Sequence, residues 1–342
     1  MQPKELVDYA ASLDCIHCGL CLRTCPTYRI TGAEPSSPRG RIYMMRAVAE
    51  GALSAEDGAF REEMEFCLAC RHCESVCPAG VRFGEMIETA RAGIERTTKR
   101  PLLQRIARRI GFGVVLPSRA WLRASVTLLG VAQWTRVTKL IAPLRFLPKV
   151  PRGSERLPLP DSTPARAPKR GDVAVLAGCV MPELYGRVNH ATVEVLGAIG
   201  FEVHVPREHV CCGALHAHNG ELDGALELAR TTIASFERYG DAPVVVNSAG
   251  CGAHMKGYGH LLRDDAQWKE RAQRFARRVV DFSEFVAARA PVDWQPKLDA
   301  AFGTLTYDDP CHLCHGQQVR AEPRALLDLV AKAQRVDMHE PE

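Results

Sequence analysis

One cysteine spacing occurs twice in the N-terminal third of the chain and restricts what this region can form. Each run has the pattern C-x2-C-x2-C-x3-C followed by proline, and the two runs are Cys15, Cys18, Cys21 and Cys25, then Cys67, Cys70, Cys73 and Cys77. In this spacing three thiolates of one run hold one [4Fe–4S] cubane, and the fourth cysteine reaches across to the other cluster. The sequence therefore predicts one cluster on Cys15, Cys18, Cys21 and Cys77, and a second on Cys67, Cys70, Cys73 and Cys25.

Zinc binding is the alternative for these runs, but a zinc site needs four ligands of its own and has no use for the Cys-Pro ending.

The chain has fourteen cysteines. Residues 1–14 are charged and lack the apolar region of a secretory signal, so metal ligation is favoured over disulfides. Uncharged stretches such as residues 124–135 are far shorter than the roughly 20 apolar residues of a membrane span. We therefore expect a cytoplasmic protein without a transmembrane span, which at most lies peripherally at the inner face of the cell membrane.

Positive charge is concentrated in residues 99–170, which hold sixteen Lys and Arg residues against two acidic ones, Glu155 and Asp161. This range, called the basic segment below, has amphipathic stretches at residues 102–110 and 121–146 and ends in a proline-rich linker. Such a local field attracts anions, so an anionic membrane surface or an acidic face of a partner is expected to bind here. Nucleic acid is not expected as a partner, because few aromatic residues are interleaved with the charges.

From residue 171 onward, short β-branched runs alternate with helical stretches, a pattern typical of an α/β domain. Strands are predicted at residues 172–177, 201–205, 244–247 and 304–307, and a helix is predicted near residues 275–288. Cysteines follow each strand, where open α/β sheets place their ligands. The predicted fold class is α+β and multi-domain. Residues 1–98 form a helical di-cluster ferredoxin-type domain, residues 99–170 a basic segment with a linker, residues 171–300 a first cysteine-rich α/β unit, and residues 301–342 the start of a second.

The second cysteine set consists of Cys179, the adjacent pair Cys211 and Cys212, and Cys251. A disulfide within the pair would be strained, because bridged Cα atoms prefer a separation of about 5.5–6 Å. Two neighbouring thiolates suit a multi-iron cluster, and Gly213 would let the backbone approach it closely. The alternative is a group of buried free cysteines with a redox-active adjacent pair.

Cys311, Cys314 and His315 form a C-x-x-C-H motif. This is the signature of covalent haem attachment, but an export signal is absent; a partial zinc site and a simple loop are further alternatives. We favour Cys311 as the opening of a second copy of the Cys179 unit. By that spacing the next cysteine pair would begin one position beyond Glu342. We therefore expect a C-terminally truncated sequence with Cys311 as an orphan ligand and with an unprotected sheet edge.

Motifs for other cofactors and for catalysis are absent from the sequence. There is no G-x-G-x-x-G after a strand, no Walker lysine loop and no H-E-x-x-H. We therefore expect no site for flavin, nicotinamide or ATP and no catalytic residue. The chain would carry electrons without being catalytic alone.

At these motifs the sequence resembles the iron–sulfur subunits of glycolate oxidase (glycolate dehydrogenase), within the larger family that shares CCG domains with heterodisulfide reductase. The matching stretches are PRGRIY at residues 38–43, CCGA at 211–214, SAGCG at 248–252, YGHLLRDD at 258–265 and DPCHL at 309–313. The resemblance implies that Cys179, Cys211, Cys212 and Cys251 hold a third iron–sulfur cluster.

The resemblance also implies partners. FAD-binding dehydrogenase subunits would oxidise a 2-hydroxy acid, glycolate in the first place, and electrons would pass onward to quinone. Reduced flavin carries two electrons, whereas a cubane carries one, so clusters in series can take them singly. Alternative interpretations are an iron–sulfur subunit of a lactate or glycerol 3-phosphate dehydrogenase, and a disulfide reductase of the heterodisulfide reductase type working at Cys211 and Cys212.

Overall fold

The computed structural model describes residues 6–139, 147–151, 153–156, 158–208, 210–296, 304–330, 335–336 and 338. The chain divides into two compact units. The first comprises Met1–Arg105, Gly213–Ala225 and Asp309–Gln318, and the second comprises Ile106–Cys212, Leu226–Asp308 and Val319–Glu342. The stretch that contains Cys311 thus belongs to the same unit as the two N-terminal cysteine runs.

The regular elements are numbered in chain order. The α-helices are α1 (Tyr9–Ser12), α2 (Pro26–Thr31), α3 (Pro38–Ala49), α4 (Gly58–Phe66), α5 (His72–Ser75), α6 (Phe83–Thr97), α7 (Leu102–Ile110), α8 (Arg119–Trp134), α9 (Met181–Leu184), α10 (Gly186–Ala198), α11 (Ala214–His218), α12 (Leu222–Glu237), α13 (Ala249–Lys256), α14 (Tyr258–Leu261), α15 (Lys269–Arg278), α16 (Phe282–Arg289) and α17 (Ala321–Val330). The strands are β1 (Ser162–Thr163), β2 (Gly171–Val175), β3 (Phe201–His204), β4 (Val244–Val246) and β5 (Val279–Asp281). Short 3₁₀ or π turns cover Glu34–Ser36, Gly111–Val115, Val137–Lys139, Gly153–Glu155 and His312–Gly316.

The regular elements of the first unit are helices and helical turns in its described residues, and they pack around one apolar core. Helix α3 begins at Pro38, and the Ser37 hydroxyl caps it by accepting a hydrogen bond from the Gly40 amide at 2.9 Å. Helix α6 buries apolar side chains at the three- and four-residue spacing of one helix face. The core of this unit includes Met45, Phe60, Met64, Met86, Ile87, Ala90 and Ile94. Helices α1, α3, α4 and α6 thus form a support on which the two cysteine runs lie.

The second unit is built on a five-stranded sheet with the order β1-β3-β2-β4-β5. Strand β2 pairs in parallel with β3 and β4, β4 pairs in parallel with β5, and only β1 is antiparallel to its neighbour. The three valines of β4 are fully buried, as expected for a central strand of a parallel sheet that is covered on both faces. The predicted combination of a helical N-terminal domain and a later α/β domain is confirmed.

Parallel strands end at the same edge of their sheet, and this edge carries the second cysteine set. Cys179 follows β2, the adjacent pair follows β3, and Cys251 lies in α13, just beyond β4. Open α/β sheets place their ligands in this position. The topology therefore brings together cysteines that are far apart in the sequence.

Two secondary-structure predictions in the α/β region are wrong. The range 275–288 is not one helix, because β5 separates α15 from α16. Two β-branched valines favour the strand, and Asp281 then starts α16 with a capping box to Glu284. The predicted strand at residues 304–307 is only an isolated bridge between Leu305 and Arg335. The sequence also predicts a helix over residues 324–333; helix α17 covers the first part of this range, and residues 331–333 lie outside the described residues.

The two amphipathic stretches of the basic segment form helices α7 and α8. The end of the second predicted stretch, residues 140–146, lies outside the described residues. In the part of the chain that the structure describes, no helix combines the length and the apolar composition needed to cross a bilayer.

Candidate iron–sulfur centres

A cavity lies at the first cysteine run. Its lining includes Cys15, Cys18 and Cys21 of that run together with Cys77, the last cysteine of the second run. Cys73 also reaches this cavity. The fourth cysteine of one run thus lies with the first three cysteines of the other.

A second cavity has the complementary lining. Cys67, Cys70 and Cys73 lie around it together with Cys25, the last cysteine of the first run. The two linings have the crossed arrangement that the spacing predicts, whereas the ligation itself stays a prediction. Every cysteine of the chain is a free thiol in this structure, so the donor set fits thiolate-ligated clusters.

The backbone follows the same course in both runs. The residues just before and just after the second cysteine of each run have left-handed φ angles: 57° at His17, 83° at Gly19, 52° at Ala69 and 63° at Arg71. Three of these are not glycine, and such residues adopt this conformation only where the surroundings enforce it. The double turn wraps each run around its cavity. It also directs amide groups at sulfur, since the Ala69 N–H donates to Cys67 Sγ at 3.4 Å.

Burial disfavours the charged form of these thiols when no cation is present. It raises the pKa of Cys70 to about 11, and the neighbouring Cys311, Cys67 and Cys25 thiolates add to this shift. Burial also raises the pKa of Cys73 well above its usual value. Both groups therefore hold their protons at neutral pH until a metal displaces them, and metal loading should release protons and tighten as the pH rises.

The second cysteine set forms two close thiol pairs. Cys211 Sγ lies 3.5 Å from Cys179 Sγ, and Cys212 Sγ lies 3.0 Å from Cys251 Sγ. A hydrogen bond from Cys211 lowers the pKa of Cys179, and one from Cys212 lowers that of Cys251. The same proton-sharing together with burial raises the pKa of Cys212. One thiol of each pair therefore ionises more readily, which suits metal ligation. Cys211 and Cys212 each pair with a different cysteine, so the geometry does not favour a disulfide between these two neighbours.

A single zinc ion does not fit these thiols. Zinc bound by four thiolates at about 2.3 Å needs sulfur atoms only about 3.8 Å apart. Among the described residues, the only group of three or more His, Cys, Asp or Glu side chains with all ligand atoms within 4.8 Å is Asp172, Glu202 and His204. There the Lys169 ammonium already lies 3.1 Å from Asp172 and 2.7 Å from Glu202. Within the described residues no three cysteine sulfurs lie that close to one another, so none of the cysteine sets is gathered around the position of a single metal ion.

The stretch around Cys311 packs on the second run inside the first unit. His312 Nε2 donates to the Ala69 carbonyl at 3.0 Å, and the His315 ring stacks on that of His72 with centroids 3.9 Å apart. Cys314 and His315 are buried, an arrangement that does not suit covalent haem attachment. Cys311 lies close enough to Cys70 to raise its pKa, and its role as a ligand stays a prediction.

Two residues at the second cavity are not predicted as site residues from the sequence. Arg41 and Thr27 both line that cavity. Arg41 lies in the PRGRIY stretch, which was used only as evidence of resemblance to a family. A charged residue in a helix is usually exposed, so the sequence gives no sign that Arg41 is buried. Thr27 follows Cys25 by two positions, and that spacing was its one available signal.

Two protein families match the chain. The "4Fe-4S dicluster domain" family matches residues 11–81, and the "Cysteine-rich domain" family matches residues 173–256. The two matches cover the two N-terminal runs and the second cysteine set, respectively. No solved structure matches the chain significantly.

Curated relatives match over most of the chain. The "Probable glycolate oxidase iron-sulfur subunit" of Bacillus subtilis (strain 168) is 36% identical, over 98% of this chain and 78% of the relative. The "Glycolate oxidase iron-sulfur subunit" of Escherichia coli (strain K12) is 33% identical, over 92% of this chain and 74% of the relative. "Lactate utilization protein A" of Bacillus cereus (strain B4264) is 31% identical over 46% of this chain and 64% of the relative. With its paired cysteine runs, its cysteine-rich α/β unit and these relatives, the chain belongs to the family of glycolate oxidase iron–sulfur subunits.

Proposed function

We propose that this chain is the electron-transfer subunit of a flavin-dependent glycolate dehydrogenase. FAD-binding partner subunits would oxidise the 2-hydroxy acid, and the chain would pass the electrons toward quinone. The observation that carries the proposal is the pair of neighbouring cavities in the first unit, each lined by three cysteines of one run and the last cysteine of the other, with Cys73 reaching both cavities. The similarity to glycolate oxidase iron–sulfur subunits supports glycolate as the substrate of the complex.

In this proposal the first cavity holds one [4Fe–4S] cluster on Cys15, Cys18, Cys21 and Cys77. The second holds another on Cys67, Cys70, Cys73 and Cys25. Such clusters supply one-electron redox chemistry, with potentials set by hydrogen bonds to sulfur, local charge and solvent exposure. The chain's own residues supply the thiolates, the amide donors to sulfur and apolar side chains around the cavities, and in this proposal no residue acts on the 2-hydroxy acid.

The function is tested by isolating the chain anaerobically with the flavoproteins that co-purify with it. Glycolate-dependent reduction of an artificial electron-accepting dye should depend on this subunit being present. Variant Cys77→Ser should lose that activity, and Cys314→Ala, which alters a cysteine outside the proposed ligand sets, should retain it. A flavoprotein that reduces quinone equally well without this subunit would overturn the proposal.

Lactate is the second candidate substrate for the complex, because "Lactate utilization protein A" is similar over nearly half of the chain. The same dye assay separates the two candidates when glycolate and lactate are compared at equal concentration. A dye-reduction rate with lactate well above that with glycolate would show that the chain is a subunit of a lactate dehydrogenase instead.

The second cysteine set is proposed to hold a third cluster on Cys179, Cys211, Cys212 and Cys251. We expect about twelve iron atoms per chain, at four per cluster. Variant Cys212→Ser should lower the content to about eight, because Cys212 and Cys251 form one of the two close thiol pairs. Anaerobic iron and sulfide analysis makes the measurement, with Cys314→Ala as the matched control. About eight iron atoms in both the unchanged chain and Cys212→Ser would remove the third cluster.

The basic segment is predicted to bind an anionic lipid surface. Helix α7 carries Arg105, Arg108 and Arg109 and exposes Leu102 and Leu103, a composition typical of helices that lie in the membrane interface. Replacing the three arginines with glutamine should weaken binding to anionic vesicles by about 3 kcal/mol, or roughly 100-fold, at about 1 kcal/mol per basic residue.

Vesicle sedimentation at several salt concentrations checks this prediction. Binding should fall as salt rises, and neutral vesicles should not bind. The control variant Arg274→Gln/Arg277→Gln removes two arginines of α15, outside the basic segment, and should bind as the unchanged chain does. If binding to vesicles does not change with salt, the lipid prediction is wrong. If only binding to the partner subunit depends on salt, the basic segment binds an acidic face of that partner instead.

A further inference from the structure

Arg41 is a fully buried cation at the second cavity, with an exposed fraction of 0%. Its Nε donates to the Glu63 carbonyl at 2.7 Å, and its Nη1 donates to the Ser36 carbonyl at 2.8 Å and to Thr27 Oγ1 at 3.1 Å. Among the described residues its carboxylate contact is Nη2 to Glu63 Oε2 at 3.3 Å, and that glutamate side chain is 21% exposed. A buried guanidinium needs compensating negative charge. Four cysteines line the same cavity as Arg41, and as thiolates they can supply the rest of the compensating negative charge.

Thr27 connects this cation to one of the cysteines. Its Oγ1 lies 3.1 Å from Cys25 Sγ and 2.7 Å from the Ser36 carbonyl oxygen. The hydroxyl has one proton and can donate to only one of these acceptors at a time. The Ser36 carbonyl already accepts a hydrogen bond from Arg41. When Cys25 is a thiolate it can only accept, so the Thr27 hydroxyl is free to turn toward the sulfur, where a charge-assisted hydrogen bond is stronger than a neutral one.

The first cavity lacks this arrangement although the two runs repeat each other. Ala79 stands two positions after Cys77, as Thr27 stands two positions after Cys25, so no hydroxyl is available there. The arginine that lines the first cavity is Arg39. Its side chain is 27% exposed and is paired with Glu34 at 2.7 Å, so solvent and a carboxylate offset its charge. The two halves of the repeat therefore differ in the groups that can stabilise added negative charge.

We infer that Thr27, held in place by Arg41, positions Cys25 in the second cavity and donates a hydrogen bond to its sulfur. As a result, a cluster held there accepts an electron more readily than it would without these residues. This inference rests on the proposed function, because it requires a cluster in the second cavity. A hydrogen bond to sulfur and a nearby buried cation both stabilise the more negative, reduced form. Thr27 and Arg41 are positioning residues and do not touch the organic substrate.

The test is a redox titration of the full chain, loaded anaerobically with its clusters, followed by electron paramagnetic resonance with dithionite as the electron donor. Variant Thr27→Val replaces the hydroxyl with a methyl group of similar size. We expect one of the cluster potentials to fall by an amount equal to about a tenfold change in the reduction equilibrium, or about 59 mV for one electron. The other potentials should not change.

Two further variants make the result specific. Thr24→Val is the matched control, because the Thr24 hydroxyl lies in the same run but donates to the Cys21 carbonyl at 3.2 Å; its potentials should equal those of the unchanged chain. Thr27→Ser keeps the hydroxyl and should restore the original potential. If Thr27→Val loses four iron atoms while the other two variants keep theirs, the positioning role of Thr27 is supported directly.

Unchanged potentials and iron content in Thr27→Val would overturn the inference. That result would leave the proposed function intact, because the clusters themselves would be present. If the unchanged chain shows no cluster signals at all after anaerobic loading, the proposed function fails instead.

Discussion

Replacing Cys77 with serine should abolish the cluster of the first cysteine run, although Cys77 belongs to the second run. The reason is geometric, since Cys77 lines the same cavity as Cys15, Cys18 and Cys21. A cubane that loses one of four thiolate ligands is expected to be lost or strongly changed, and the iron content should fall by about four atoms per chain. Iron analysis and electron paramagnetic resonance of the anaerobically loaded chain make the measurement.

Two reference variants decide which cluster is lost. Cys18 lines only the first cavity and Cys70 only the second, so Cys18→Ser and Cys70→Ser each remove one identifiable signal. Cys77→Ser should match Cys18→Ser, and Cys25→Ser should match Cys70→Ser. If Cys77→Ser matches Cys70→Ser instead, each run holds its own cluster and the crossed ligation is wrong.

Replacing Arg156 with methionine should lower the free energy of unfolding of the second unit by about 3–5 kcal/mol, the usual cost of removing one member of a buried ion pair. Arg156 and Glu183 are 8% and 3% exposed, and Arg156 Nε donates to the Glu183 carboxylate at 2.8 Å. Arg156 also donates to Thr127 Oγ1 at 2.9 Å and to the Arg123 carbonyl at 3.1 Å. The substitution leaves the Glu183 charge buried without compensation and releases α8 from this contact.

Denaturant unfolding followed by circular dichroism checks the prediction. The control is Arg207→Met, because Arg207 and Asp161 pair with side chains 77% and 50% exposed, and exposed pairs contribute only about 0–1 kcal/mol. The double variant Arg156→Met/Glu183→Leu should recover much of the loss, since it removes both buried charges. Equal effects of Arg156→Met and Arg207→Met would show that the buried pair has no special role.

Glu183 lies in α9, which begins two residues after Cys179, and Cys179 packs with Leu122 and Val126 of α8. Loss of the Arg156 contact should therefore loosen the surroundings of the proposed third cluster as well. We expect Arg156→Met to release iron at lower denaturant concentration than the unchanged chain. The clusters proposed for the first unit should be unaffected, because none of their cysteines belongs to the second unit.

The sequence alone was sufficient for the features that depend on short spacing. These features are the cysteine spacing from Cys15 to Cys25, the Cys-Pro endings and the runs of buried valines. Each of them determines the backbone of a single turn or a single strand. They predict the two cysteine loops and most strands of the parallel sheet. The positions of Cys179, Cys211 and Cys251 after β2, β3 and β4 were also predictable, because parallel strands must end at one edge. In contrast, β5 was missed, because its two valines are embedded between stretches that favour helix.

Only the tertiary structure decided the contacts between distant residues. Arg41 meets Glu63 because α3 packs near α4, and no local pattern encodes that the guanidinium is buried beside Cys25. Likewise, the stretch Asp309–Gln318 joins the first unit through His312 and His315, although its sequence predicts the start of another α/β unit. Local spacing acts through backbone geometry, whereas these contacts arise when burial brings distant polar groups together and each must find a partner away from water.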